Sequence, residues 1–126
     1  MLEEHKEVGR PTHCTGKLTH HAFEEFALPP GIVVNAVSAA VLHGPRGARV
    51  LLRRHTVDSY IVDRDRFDQK LAEAALETGA GLITGARARQ VRQVNGLMEV
   101  SGERNGRPFS ARGRVVIDAE GASPIL

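Results

Sequence analysis

Residues 87–112 read Arg-Ala-Arg-Gln-Val-Arg-Gln-Val-Asn-Gly-Leu-Met-Glu-Val-Ser-Gly-Glu-Arg-Asn-Gly-Arg-Pro-Phe-Ser-Ala-Arg, and this stretch decides the fold. It holds two Asn-Gly pairs, Asn95-Gly96 and Asn105-Gly106, between segments that alternate apolar and polar side chains. Both residues of such a pair tolerate the positive φ that a tight hairpin turn demands. The spacing therefore predicts three strands, 87–94, 97–102 and 107–112, wound as an antiparallel meander.

The flanks place that meander in a larger scheme. After it comes Val115-Val116-Ile117, a continuous apolar run that reads as a strand buried on both faces, as in a parallel sheet. Ala119-Glu-Gly-Ala-Ser then turns the chain at the strand's carboxyl end, where open α/β sheets bind their ligands. Before the meander, a helix is predicted over 65–78, with Phe67, Leu71, Ala74, Ala75 and Thr78 forming one narrow inner stripe at spacings of three and four. Asp63 or Asp65 can cap its start, Gly79 closes its end, and Leu82 and Ile83 begin an extended stretch. Helix, meander, buried strand and small-residue turn, in that order, indicate a nucleotide-binding α/β sheet carrying an antiparallel insertion.

The N-terminal half is written in weaker signals. Leu2 is a candidate last residue of a strand, Gly9-Arg10-Pro11 a turn, and 22–26 a short helix before Pro29-Pro30-Gly31. Strands are expected over 32–42, 49–54 and 60–62, the first two joined by a longer loop at Gly44-Pro45-Arg46-Gly47. No repeat or low-complexity segment interrupts the chain.

Composition excludes several functions. With 126 residues, 41% hydrophobic and 25% charged, the chain suits one soluble domain with a single core. Seventeen Lys and Arg against 15 Asp and Glu leave a formal charge of +2 and a pI near 9.1. The arginines are scattered (Arg46, Arg49, Arg53, Arg54, Arg87, Arg89, Arg92) and stacking aromatics are scarce, which argues against a nucleic-acid surface. Cys14 is the single cysteine, so there is no internal disulfide framework, and a reducing, cytoplasmic setting is expected. No apolar run approaches the ~20 residues needed to span a bilayer, and the first residues lack a signal-like stretch.

Three segments, in register along nearly the whole chain, resemble the geranylgeranyl reductase family of FAD-dependent oxidoreductases, within the p-hydroxybenzoate hydroxylase-like flavoprotein class. Residues 3–16, Glu-Glu-His-Lys-Glu-Val-Gly-Arg-Pro-Thr-His-Cys-Thr-Gly, are similar to the segment after that family's second strand, where an acid precedes a G-x-P-x-x-C turn. Residues 63–68, Asp-Arg-Asp-Arg-Phe-Asp, resemble its R-x-x-F-D at a helix start. Residues 116–123, Val-Ile-Asp-Ala-Glu-Gly-Ala-Ser, resemble the A-D-G strand-turn of the wider class, with Glu120 in place of the usual Asp. The loop after Cys14 also departs, having Thr15-Gly16-Lys17 where the family often has a further acid and glycine.

The resemblance implies an α/β fold: part of an FAD/NAD(P)-binding Rossmann-like sheet, its antiparallel meander, and the first strands of an inserted substrate-domain sheet over about 30–62. Residues 1–126 would be a single, partial FAD-binding domain, with the glycine-rich phosphate loop before Met1 and a Gly-Asp motif after Leu126. Such an internal piece would be inactive alone and hold FAD weakly. It implies FAD as cofactor, an isoprenoid or lipid substrate whose carbon-carbon double bonds are reduced, and NAD(P)H or ferredoxin as electron donor. Peripheral membrane contact of the intact enzyme is compatible with such a substrate.

By the same resemblance Glu3 would hold the adenosine ribose, Cys14 and Thr15 would lie along the flavin, Arg64 would approach the phosphates, and Ala88 would offer its backbone to the adenine. Arg64 has a physical warrant too, since a guanidinium pairs bidentately with phosphate oxygens. The residues admit plainer readings. Glu3 sits in an exposed acidic opening with Glu4 and Glu7, Cys14 is by type a small buried apolar residue, and Asp63 and Asp65 could simply neutralise Arg64. His13, Cys14, His20 and His21 match no zinc spacing. Ser123 lacks a nucleophile elbow, and 79–85 follows a helix, the reverse of a phosphate loop's context. No acid or base is assigned. The alternatives are a flavin-dependent aromatic hydroxylase or halogenase-type monooxygenase, which shares the meander and strand-turn, and a non-catalytic small α+β binding module.

Overall fold

A computed structural model of the chain describes residues 1–12 and 14–121. The elements run β1 (Lys17–Thr19), α1 (His20–Glu25), β2 (Val33–Val37), β3 (Ala39–His43), β4 (Arg49–Arg53), β5 (Ser59–Val62), α2 (Arg64–Glu77), β6 (Ala86–Val94), β7 (Leu97–Arg104) and β8 (Arg107–Gly113), with 3-10 turns at Pro30–Ile32 and Pro45–Gly47. The architecture is α/β with antiparallel sheets. The chain divides into two compact units, one made of Met1–Arg10 with Ala72–Leu126, the other of Pro11–Leu71.

In the first unit the meander forms as its turns dictate. Asn95 and Gly96 have φ of 52° and 79°, Asn105 and Gly106 of 49° and 76°, and β6, β7 and β8 lie side by side in that order. Period-two alternation separates its faces. Val91, Val100 and Ala111 stand opposite one another on one face, and Arg92, Glu99 and Arg112 on the other. A bulge between Ala88 and Gln90 bends β6. Gly102 opposite Ala88 is required: a Cβ there would run into the carbonyl of Arg87.

Beside the meander, Met1–His5 runs parallel to the stretch leading into β6. Leu2 bridges Ile83, the Glu3 amide donates to the Ile83 carbonyl at 2.9 Å, and the Ala86 amide to the Glu3 carbonyl at 2.9 Å. The strand end expected at Leu2 and the extended start at Leu82-Ile83 are thus partners.

Residues 115–117 are a correction. They carry no strand, and Val115 and Ile117 are 76% and 87% exposed. An apolar run becomes a buried parallel strand only where another strand offers its edge, and none of the described residues does.

In the second unit β5 is central, paired antiparallel with β1 on one side and β2 on the other. Ile32, Ser59 and Val62 are buried around it. The stretch expected as one strand over 32–42 is two: it leaves the β5 sheet at Ser38, whose carbonyl takes the Arg54 amide, and enters a separate β3–β4 hairpin. Helix α1 begins earlier than expected because Thr19 caps it, its Oγ accepting from the Ala22 amide at 3.1 Å.

Helix α2 starts where the sequence places it. The Asp63 side chain takes the Arg66 amide at 3.2 Å and its carbonyl takes the Phe67 amide at 2.8 Å. It ends in a Schellman pair, Gly79 to the Leu76 carbonyl and Ala80 to the Ala75 carbonyl, with Gly79 at φ 90°. Gly79 therefore stops the helix. The predicted inner stripe is not buried: no residue of α2 is, and Leu71 is half exposed. An amphipathic face needs an opposing layer, and among the described residues none covers this one. No helix of the described residues is long and apolar enough to cross a membrane.

Candidate functional site

The five residues singled out in the sequence fall into two groups, one in each compact unit. Glu3 and Ala88 belong to the first. The backbone ties Glu3 to Ile83 and Ala86, two residues before Ala88, so the parallel ribbon and the first turn of the meander carry both. The Glu3 carboxylate is engaged locally, its Oε1 accepting from the His5 amide at 2.8 Å and lying 2.7 Å from His5 Nδ1. Ala88 is half-buried at the bulge. A bulge loosens the ladder there and frees backbone polar groups for another partner.

Cys14, Thr15 and Arg64 belong to the second unit. Cys14 and Thr15 are exposed, and Cys14 Sγ accepts from the Gly16 amide at 3.5 Å. Cys14 is thus not the buried apolar residue its type suggests. Arg64 opens α2, and its Nη2 donates to both oxygens of Asp68, at 2.7 and 3.0 Å. Its guanidinium lies 5.2 Å from the centre of the Phe67 ring. This explains the R-x-x-F-D spacing: one helical turn sets the Phe and the Asp against the same arginine.

Gly16 joins loop and helix, and inspection of the sequence missed it. Its carbonyl accepts from the Val62 amide of β5 at 2.9 Å, and its φ is +72°. A Cβ at Gly16 would collide with the Val62 carbonyl and stand 3.1 Å from Arg64 Cγ. The signal was present as Thr-Gly-Lys, a lone glycine between two polar residues before a strand, but it looks like any turn. The helix start is pinned as well by Thr12, whose hydroxyl donates to Asp65.

Arg64 also carries the observation that bears on a cofactor. Its Nε is buried and has no hydrogen-bond partner in the structure. Leaving a charged donor buried and unmet is costly, and an anionic oxygen would satisfy it. The donor set of this corner, a guanidinium beside a glycine-backed loop, fits a phosphate-bearing cofactor. His20 and His21 pair with Glu24 and Glu25 one turn along α1, at 3.3 and 3.7 Å, and His13 lies outside the described residues. Among the described residues no three His, Cys, Asp or Glu are grouped to hold a metal. Ser123 also lies outside them; Glu120 of the closing motif gives its amide to Asp118 at 3.0 Å, and Gly121 turns with φ 82°.

The fold is that of a segment of a geranylgeranyl reductase-like protein. Its backbone superposes with TM-score 0.77 on a geranylgeranyl bacteriochlorophyll reductase-like protein from Thermoplasma acidophilum, 25% identical, over 89% of this chain and 30% of that one. FqzB has the same fold, with TM-score 0.64 over 95% of this chain and 29% of its own, at 19% identity. In sequence, the chain is 34% identical over 86 residues to digeranylgeranylglycerophospholipid reductase 2 of Methanothermobacter thermautotrophicus, 67% of this chain and 22% of that protein. It is 28% identical over 123 residues to the digeranylgeranylglycerophospholipid reductase of Methanocaldococcus jannaschii, 96% of this chain and 31% of the relative. No protein-family model matches it. The chain is a homologue of the geranylgeranyl reductase family, and spans between about a fifth and a third of the length of these curated relatives.

Proposed function

We propose that the protein carrying this chain reduces carbon-carbon double bonds in geranylgeranyl or related isoprenoid chains of lipids, using FAD, with NAD(P)H or ferredoxin as electron donor. The similarity to digeranylgeranylglycerophospholipid reductases, extending over 96% of the chain, carries this reading. FAD would supply the hydride. This chain's residues bind and orient it: Glu3 toward the ribose hydroxyls, the Ala88 backbone toward the adenine, Cys14 and Thr15 along the flavin, and Arg64 toward the phosphates.

The Arg64 corner supports the assignment on its own terms. Asp68 and Phe67 hold the guanidinium in one pose, so little side-chain freedom remains to be lost on binding an anion. No residue of this chain is given an acid or base role. A lipid substrate suits peripheral contact of the whole protein with a membrane, the chemistry remaining on the cytoplasmic side.

The test is a flavin titration of the full-length gene product beside its Arg64→Gln variant, followed by product analysis. Expected are yellow protein, FAD affinity at least tenfold weaker in the variant, and isoprenoid product heavier by two mass units per reduced bond. Full-length protein that folds cooperatively yet takes up no flavin overturns the proposal, as does flavin-dependent insertion of oxygen into an aromatic substrate.

A further inference from the structure

The first unit holds a groove of about 610 Å³ lined by Lys6, Thr84, Gly85, Arg104 and Asn105. Its walls are fixed by backbone contacts: the Gly85 amide donates to the His5 carbonyl and the Asn105 amide to the Gly85 carbonyl, each at 2.9 Å. Gly85 has φ +66°, and a Cβ there would collide with the Asn105 side chain, so the two walls meet only because this position lacks one. The groove floor is thus built, and is not a gap between mobile side chains.

Its charges are unbalanced in a particular way. Every acid nearby in sequence or register is committed to another cation. Glu3 is held by His5 at 2.7 Å, Glu4 by Arg87 at 3.2 Å, Glu7 by Arg10 at 3.4 Å, and Glu103 by Arg89 at 3.9 Å. Lys6 and Arg104 have no ion-pair partner among the described residues, and Arg107 stands opposite Arg104 across the β7–β8 turn. The same groove is lined by Thr84 and Asn105, whose hydroxyl and side-chain amide are hydrogen-bond donors. Two unneutralised cations on one rigid groove repel each other, and an anion placed between them relieves the repulsion while accepting from the neutral donors.

We infer that this groove binds a phosphate monoester, with Lys6 and Arg104 as the charged contacts and Thr84 and Asn105 completing the oxygen shell. The volume exceeds that of a bare phosphate and falls within the range of small-molecule sites, so the phosphate would belong to a phosphorylated compound of about nucleotide size. This site stands apart from the flavin reading: it uses none of Glu3, Cys14, Thr15, Arg64 or Ala88.

Amide NMR of the full-length gene product tests it, with inorganic phosphate and adenosine monophosphate as probes and sodium chloride at matched ionic strength as control. Expected are saturable shifts of the Thr84, Gly85 and Asn105 amides with both probes. Affinity should be higher for the monophosphate, and fall at least tenfold in Lys6→Gln and in Arg104→Gln. Both side chains are exposed, so the variants keep the fold and the remaining spectrum reports it. Shifts that chloride reproduces, that do not saturate, or that persist unchanged in both variants overturn the inference. Higher affinity for inorganic phosphate than for the monophosphate overturns the nucleotide-sized ligand. None of these outcomes depends on flavin binding.

Discussion

The β6–β8 meander and the β3–β4 hairpin are written in the same local grammar, antiparallel strands joined by glycine-containing turns, yet only one of them makes a core. In the meander the central strand has a neighbour on each side, Val100 is 7% exposed, and Glu99 is 4% exposed beneath two arginines. In the hairpin every residue from Ala39 to His43 and from Arg49 to Arg53 is exposed, with Val41, Leu42, Val50, Leu51 and Leu52 each at least half so. Cross-strand pairing was achieved in both, Val41 against Leu51 and Leu42 against Val50 in the hairpin. Pairing is therefore a local outcome, whereas burial needs a third strand or a covering layer.

Substitutions sharpen that contrast. The largest effect is expected at Gly102, where any Cβ meets the Arg87 carbonyl, a backbone atom that cannot swing aside. Gly102→Val should destabilise the meander by about 3 kcal/mol or more, read from denaturant unfolding with tryptic cleavage mapping to the first unit. A loss below about 1 kcal/mol would mean that the β6–β7 approach is looser than described. Val100→Ala comes next. It removes two methyl groups between Val91 and Ala111 and should cost about 1–3 kcal/mol by the same measurement.

Glu99 probes the other face of the meander and brings in pH. Arg92 donates to its Oε1 through Nε and Nη2 at 2.9 and 2.6 Å, and Arg112 Nε to its Oε2 at 2.7 Å. These hydrogen bonds, Arg92's first, hold its pKa below the ordinary 4.5 of a glutamate, against a smaller opposing effect of burial. A carboxylate with a depressed folded-state pKa contributes stability that is fully present above its unfolded value and lost as pH falls through the folded one. Wild-type protein should therefore lose stability as pH drops below about 4.5, and Glu99→Gln should flatten that part of the profile while lowering stability at neutral pH. An unchanged slope would show that the two arginines are solvated rather than paired.

What the sequence made legible follows the same division. The meander, the caps of α2 and its Gly79 stop could be read because Asn95-Gly96, Asn105-Gly106, Asp63 and Gly79 act through neighbours within a few residues. The 115–117 run and the Phe67-Leu71 stripe were misjudged because an apolar pattern states a wish for burial without naming what covers it. The split at Ser38 was hidden for a related reason: the switch between sheets is decided by Arg54 and Asp58, sixteen and twenty residues away, whose amides reach Ser38 and Val37. At the candidate site, Arg64 and its Phe-Asp partners were visible as a motif, since they share a helix. Gly16 was not, since its need arises from Val62 on another strand.

The hairpin supplies the smallest expected effect and the most direct way to break the comparison. Leu51 and Val41 face each other across β3 and β4, and exposed positions of this kind contribute within about 0.5 kcal/mol. Leu51→Ser in the 126-residue chain should leave the unfolding midpoint within that margin, against the larger loss at Val100. The same substitution in the full-length gene product reads what the short chain cannot: a loss there of about 2 kcal/mol or more would mean that Leu51 has become a core residue. In that case the hairpin's apolar faces belong to a sheet that other parts of the polypeptide complete, and the contrast with the meander is one of company rather than of sequence. If the margin holds in both proteins, the exposed leucines face solvent or a lipid surface, and vesicle co-sedimentation of the Leu51→Ser variant then separates those two.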